Sequence, residues 1–162
     1  RTVIKNVELG LEQLKIPKTQ RAVIAKKYID LVGLSEFVNS FPSQLSGGMQ
    51  QKLAIARGLV TNPELLLMDE PFASLDVINR KYLNNELFRI WKELGTTIVL
   101  VTHDPQEAVL LSKKVVVLSS RPAEVKFTVN IPSGYPRNHN SLEHLNLVEE
   151  IWANLGPKSQ KD

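Results

Sequence analysis

One short apolar run constrains this chain more than any other feature. Residues 65–69 read LLLMD, without a polar interruption until the final aspartate. Such a run is short for a helix and fits a strand covered on both faces, as in a parallel sheet. Leu83, Leu87, Ile90 and Leu94 then recur at helical spacing, and Gly95 stops the pattern. TTIVLVTHD comes next, β-branched and apolar, as a second buried strand. Strand, helix, strand in this order predicts a parallel α/β sheet.

Helices dominate the residues before this run. Val3, Val7, Leu11 and Leu14 mark one amphipathic helix, broken at Pro17. Thr19 is the predicted cap of a second, with Ile24, Tyr28 and Leu31 on one face and Gly33 at its end. A third starts at Gly47 and Gly48, buries Met49, Leu53, Ala56 and Val60, and stops at Pro63. After the second strand, Asp104, Pro105 and Glu107 predict a capped helix. VVVL is a third strand, and EVKFTVNI alternates so that Val125, Phe127, Val129 and Ile131 share one face. The two are expected to pair antiparallel across SSRPA. Ser141 caps a last helix, closed by Gly156 and Pro157. The expected division is a helical lobe (1–62), an α/β part (63–132) and a tail with a helix (133–162).

Composition narrows the classes. The chain has no cysteine, which excludes a disulfide scaffold and a thiolate metal site. Its net charge of +3 comes without a basic run or aromatic-interleaved patch, so nucleic acid is not an expected partner. No apolar run is long enough to span a bilayer, and the first residues do not read as a signal peptide. The chain opens on Arg1, inside a helical pattern, and the expectation is that an N-terminal part is missing.

Three places carry chemistry. Asp69 and Glu70 come after the first strand at its C-terminal end, where open α/β sheets bind their ligands. Two acids there can hold Mg²⁺ and orient or deprotonate a water; the plainer alternative is two solvated acids at a strand end. His103 ends the second strand and is expected at the same rim, able to bond a phosphate oxygen or a water. Standing alone it would read more readily as a structural histidine. Ser46, Gly47 and Gly48 open a helix, where free N–H groups and the dipole favour an anion and glycine admits it close to the backbone. The alternative there is a serine N-cap with glycines in a tight turn.

Taken together, in order and spacing, these stretches resemble the ATP-binding subunits of ABC transporters. LSGGMQQKLAIARGLV resembles the family's signature motif and helix, and LLLMDEP its Walker B strand with the catalytic glutamate. SLD (74–76) looks like the D-loop, and VTHD like the switch-histidine loop. FPSQLSGGM, DEPFASLD and SSRPAEV look most like importers of the nitrate, sulfonate and taurine type. The resemblance implies a partial P-loop ATPase core with a parallel sheet, a helical lobe, and a C-terminal hairpin and helix. It implies ATP and Mg²⁺ as cofactors. Asp69 would help hold the metal, Glu70 would polarise the attacking water, and His103 would sense the γ-phosphate. Ser46, Gly47 and Gly48 would contact ATP bound to a partner, and Asp76 would communicate across the dimer. The implied partners are a second ATPase subunit, in a homodimer, the transmembrane permease subunits and, indirectly, a solute-binding protein. The implied location is peripheral, on the cytoplasmic face of the membrane.

The family's phosphate cradle, GxxxxGK[ST], does not occur, since no glycine of this chain precedes a lysine. The chain alone is therefore expected to be inactive as an ATPase. Two other readings stay open: a non-transport ABC-type ATPase, and a non-catalytic interaction fragment.

Overall fold

The structure is a computed structural model that describes residues 1–73 and 75–155. It divides into two compact units, residues 1–101 and the remainder from Thr102.

The first unit begins with three helices: α1 (Val3–Gln13), α2 (Lys18–Leu31) and α3 (Gly47–Leu59). The stripe Val3, Val7 and Leu11 is buried as the periodicity predicts, whereas Leu14 falls just past the helix and is exposed. The start of α1 is tied down from outside: Val3 N–H donates to Ser40 O at 2.8 Å and Ile4 N–H to Val38 O at 3.1 Å. Helix α2 starts one residue before the expected Thr19 cap, at Lys18, with Pro17 as its N-cap. The Pro17 carbonyl accepts from Gln20 N–H and Arg21 N–H, at 2.9 and 3.2 Å. Thr19 therefore falls inside the first turn and not at its cap. Helix α3 buries Leu53, Ile55, Ala56 and Leu59, with Val60 just beyond, and leaves Met49 half-buried. Two glycines let it approach its neighbours. A methyl group at Gly10 would lie 2.8 Å from Thr61 Cγ2, and one at Gly58 would lie 2.8 Å from Leu66 Cδ1.

Strand β1 (Leu65–Asp69) pairs parallel with β2 (Thr97–Val101), from Leu65 opposite Thr97 to Asp69 opposite Val101. Helix α4 (Val77–Leu94) makes the crossover and ends as predicted at Gly95, whose φ of 68° suits glycine. The expectation of strands covered on both faces fails. Among the described residues this sheet has only two strands, and Leu65, Leu67, Val99 and Val101 stay between 46% and 70% exposed. Leu66 and Met68 point the other way; Leu66 lies beside Gly58 of α3, and Met68 is buried.

The second unit has its own core. Helix α5 (Pro105–Leu111), the antiparallel pair β3 (Lys114–Leu118) and β4 (Val125–Asn130), and α6 (Leu142–Leu155) bury Val109, Val115, Val117, Ile131, Val148 and Ile151 together. The predicted hairpin is present, with a bulge between Val117 and Leu118. Ser119 organises its turn, accepting from Glu124 N–H at 2.9 Å and donating to Pro122 O at 3.0 Å. Phe127 and Val129 pack against the core, while Val125 at the strand end is exposed. Ser141 caps α6, its Oγ accepting from His144 N–H at 3.2 Å. The expected stop at Gly156 and Pro157 lies outside the described residues.

His144 is 5% exposed, and its Nδ1 has no hydrogen-bond partner among the described residues. The His139 ring stands edge-on to it, with centroids 6.2 Å apart. Burial first, then His139 and Arg137, lower its pKa from the ordinary 6.5. The unfolded chain therefore binds a proton that the folded unit resists. Stability is expected to be flat above about pH 6.5 and to fall as pH drops from there toward the lowered folded value. His144→Asn should flatten that slope in urea unfolding followed between pH 7.5 and 5.5. An unchanged slope would show that His144 does not carry it.

Candidate functional site

The carboxylates come from the end of β1. Asp69 is its last residue and is exposed; Glu70 is half-buried. Glu70 has φ of 46°, in the left-handed region that non-glycine residues seldom occupy. Its N–H still donates to Val101 O at 2.9 Å, and its carbonyl accepts from Ala73 N–H at 3.3 Å. The strand ladder thus holds the residue up to the point where the chain turns. Phe72, 1% exposed, anchors the turn itself. Backbone strain of this kind costs about 1–3 kcal/mol and persists where the surroundings impose it.

The SGG stretch forms the start of α3. Ser46 is the N-cap, and its Oγ accepts from Met49 N–H at 3.3 Å. Gly47 and Gly48 are the first two helical residues, so the glycines lie within the first turn rather than ahead of it. Beside them runs the chain that opens α4. A methyl at Gly47 would lie 3.7 Å from Leu75 Cδ2; one at Gly48 would lie 3.8 Å from Leu83 Cδ1 and 4.0 Å from Asn79 Oδ1. All three are ordinary contact distances, and neither glycine has a positive φ. Among the described residues, packing and backbone therefore do not require glycine at either place.

Asp76 is the N-cap of α4. Its carboxylate accepts from Ile78 N–H and Asn79 N–H, both at 3.0 Å, and from Asn79 Nδ2 at 2.5 Å. The Asn79 backbone bond, then its side chain, hold the Asp76 carboxyl below its usual pKa, so it is ionised at the positive end of the helix. Asn79 was not singled out by sequence reasoning. Its signal was the Asp76-to-Asn79 spacing ahead of a helical pattern.

The structure thus brings Gly47 and Gly48 beside the first turn of α4, and sets Asp69 and Glu70 consecutively at the end of β1, all within the first unit. His103 lies two residues past the end of β2, exposed, in the second unit. Ser74 lies outside the described residues. For Mg²⁺ the donor set fits: Asp69 and Glu70 offer hard carboxylate oxygens, and this ion takes one or two of those with water and phosphate. Among the described residues no three acidic or histidine side chains converge as a closed cage.

A family model described as ABC transporter matches residues 2–73. An ABC transporter ATP-binding protein of Methanocaldococcus jannaschii is 52% identical over 151 residues, 93% of this chain and 57% of its own. A nitrate import ATP-binding protein of Synechocystis is 44% identical over 133 residues, covering 81% of this chain and 50% of its own. The chain thus spans little more than half the length of these curated relatives. Among solved structures, a dimeric bacterial ABC transporter cassette superposes with a TM-score of 0.66 at 31% identity, over 83% of this chain and 58% of that one. The α/β architecture with its parallel pair is that of a partial P-loop ATPase core, and the chain is similar to the ATP-binding proteins of ABC transporters over most of its length.

Proposed function

We propose that this chain is part of an ATP-hydrolysing subunit that powers an ABC-type importer of the nitrate, sulfonate or taurine class. The observation that carries the proposal is the pair Gly47 and Gly48. Each glycine costs a helix roughly 1 kcal/mol against alanine. Among the described residues neither is demanded by crowding or by φ. Bare backbone at a helix N-terminus, open at Gly47 and half-open at Gly48, suits an anion that approaches from outside. In this reading Ser46, Gly47 and Gly48 close over the γ-phosphate of ATP held on the P-loop of a second subunit. Asp76 fixes the neighbouring turn of α4, through which the two subunits communicate.

Asp69 would help hold Mg²⁺, which supplies neutralisation of phosphate charge. Glu70 accepts hydrogen bonds from the attacking water and draws off its proton. His103 bonds the γ-phosphate. Residues 1–62 would form the lobe facing the permease subunits, 63–132 the C-terminal part of the ATPase core, and 133–162 a tail. The subunit would sit on the cytoplasmic face of the membrane, and a solute-binding protein would supply the cargo. Among the described residues no helix is long and apolar enough to cross a membrane, as suits a peripheral subunit. The nitrate import relative supports the class of cargo.

Two substitutions in the full-length, P-loop-bearing protein test the assignment. Glu70→Gln keeps shape but cannot accept a proton. It is expected to bind ATP normally, lose about 10²–10⁴ in hydrolysis, and accumulate as an ATP-bound dimer on gel filtration. Wild-type turnover by this variant would remove Glu70 from the chemistry.

Gly48→Ala separates fold from function at the other motif. Its methyl fits at ordinary distance, so thermal stability should hold or rise by about 1 kcal/mol. ATP-driven dimerisation should nevertheless weaken, and Gly48→Asp, which sets a carboxylate against the incoming phosphate, should abolish it. ATP-dependent dimerisation at wild-type strength in Gly48→Asp would place the partner's nucleotide elsewhere.

A further inference from the structure

Helix α5 has seven residues, too few to be stable alone. Its last carbonyls would ordinarily be orphaned. Donors from the tail beyond β4 reach them, with Arg137 Nη1 sharing its two N–H groups among three carbonyls. Arg137 Nη1 donates to Val109 O at 2.6 Å, Leu110 O at 3.2 Å and Ser112 O at 2.6 Å. Tyr135 Oη donates to Leu111 O at 2.5 Å. The guanidinium lies 4.1 Å over the Tyr135 ring, and its Nε donates to Ser133 O at 3.1 Å, which holds the strap in shape. A half-buried cation is thus fixed at the negative end of the α5 dipole. The opposite end of α5 is the loop that carries His103. Asp104 caps it by accepting from Gln106 N–H at 2.9 Å, and Asp104 N–H donates to Thr102 Oγ1 at 3.1 Å. His103 therefore sits between two residues joined by a hydrogen bond, directly on the N-cap of a two-turn helix.

We propose that Arg137 and Tyr135 are positioning residues for His103. By tying the C-terminal end of α5, they keep so short a helix from fraying into the turn that orients the imidazole. The proposal rests on the reading of His103 as the group that bonds the γ-phosphate. Lysine cannot replace the arginine fully, because it lacks the Nε–H that donates to Ser133 O and the planar group that stacks on Tyr135, the two contacts that hold Nη1 in place.

The test uses the full-length ATPase. Arg137→Ala is expected to lower kcat about tenfold while KM for MgATP stays within about twofold, since misplacement of a reacting group acts on the transition state. Arg137→Lys should recover part of the loss, and Tyr135→Phe should lose less than Arg137→Ala. His103→Ala should lower kcat by at least as much as Arg137→Ala. In that background Arg137→Ala should add nothing, because the two act through one group. Hydrogen exchange should quicken in α5 of Arg137→Ala and stay native in β3 and β4. If His103→Ala leaves kcat unchanged, the reading of His103 itself fails. If His103→Ala lowers kcat but Arg137→Ala does not, or the two losses multiply, the positioning role is overturned. Should Arg137→Ala lose protection throughout the second unit, Tyr135→Phe and Arg137→Lys carry the same test: their losses must also vanish on the His103→Ala background, and losses that persist there overturn the proposal.

Discussion

Parallel pairing of Leu65–Asp69 with Thr97–Val101 is the constraint on which the first unit depends. Two parallel strands cannot be joined by a tight turn; the chain must travel back along the sheet. Val77–Leu94 makes that return, and its first turn must then start near the end at which β1 finishes. The acids of β1 and the N-cap of α4 are consequences of one connection. Residues 70–76 are all the chain has between them. Glu70 takes a left-handed φ while its N–H remains in the ladder, so the turn begins within the hydrogen-bonded edge itself.

Helix ends do the remaining work of placing groups. Ser46 and Asp76 each satisfy N–H groups of their own helices, and the two starts lie close enough that a methyl on either glycine would meet Leu75 or Leu83 at contact distance. A serine or aspartate cap contributes about 1 kcal/mol, which offsets part of what two glycines in the first turn of α3 cost. Against a total stability of some 5–15 kcal/mol, the remaining cost of the glycines is not trivial. Among the described residues it stands where the local geometry asks for no glycine.

The sequence was most legible where a signal is local. Gly95 ends α4 because its φ suits glycine, and the strict alternation of 125–131 could only be a half-covered strand. Ser141 and Asp104 cap the helices they precede. Errors arose where a choice depends on what lies across from a residue. Thr19 looked like a cap, but Pro17 had already opened the helix. Leu65, Leu67, Val99 and Val101 looked doubly buried because an apolar run records what a sheet is suited to touch, and among the described residues one face stays about half exposed or more. The candidate site was legible in the same measure. SGG, DE and the terminal HD are contiguous and could be found by eye, whereas the partnership of Asp76 with Asn79 required the helix to be built first.

Arg137 and Tyr135 show the other limit of a linear reading. Their partners, Val109 to Ser112, lie some two dozen residues earlier and are backbone carbonyls, which have no sequence signature at all. Only the hairpin β3–β4 carries the tail back past the end of α5. A short helix in such a place has two routes to satisfy its last turn, water or a borrowed donor. Water would leave the end free to fray. A guanidinium stacked on a tyrosine, with a hydroxyl beside it, supplies donors to four consecutive carbonyls and loses little further freedom in doing so, because the ring already fixes the plane of the fork. The second unit thereby stiffens the one helix that begins where His103 ends, and does so with residues that carry no chemistry of their own.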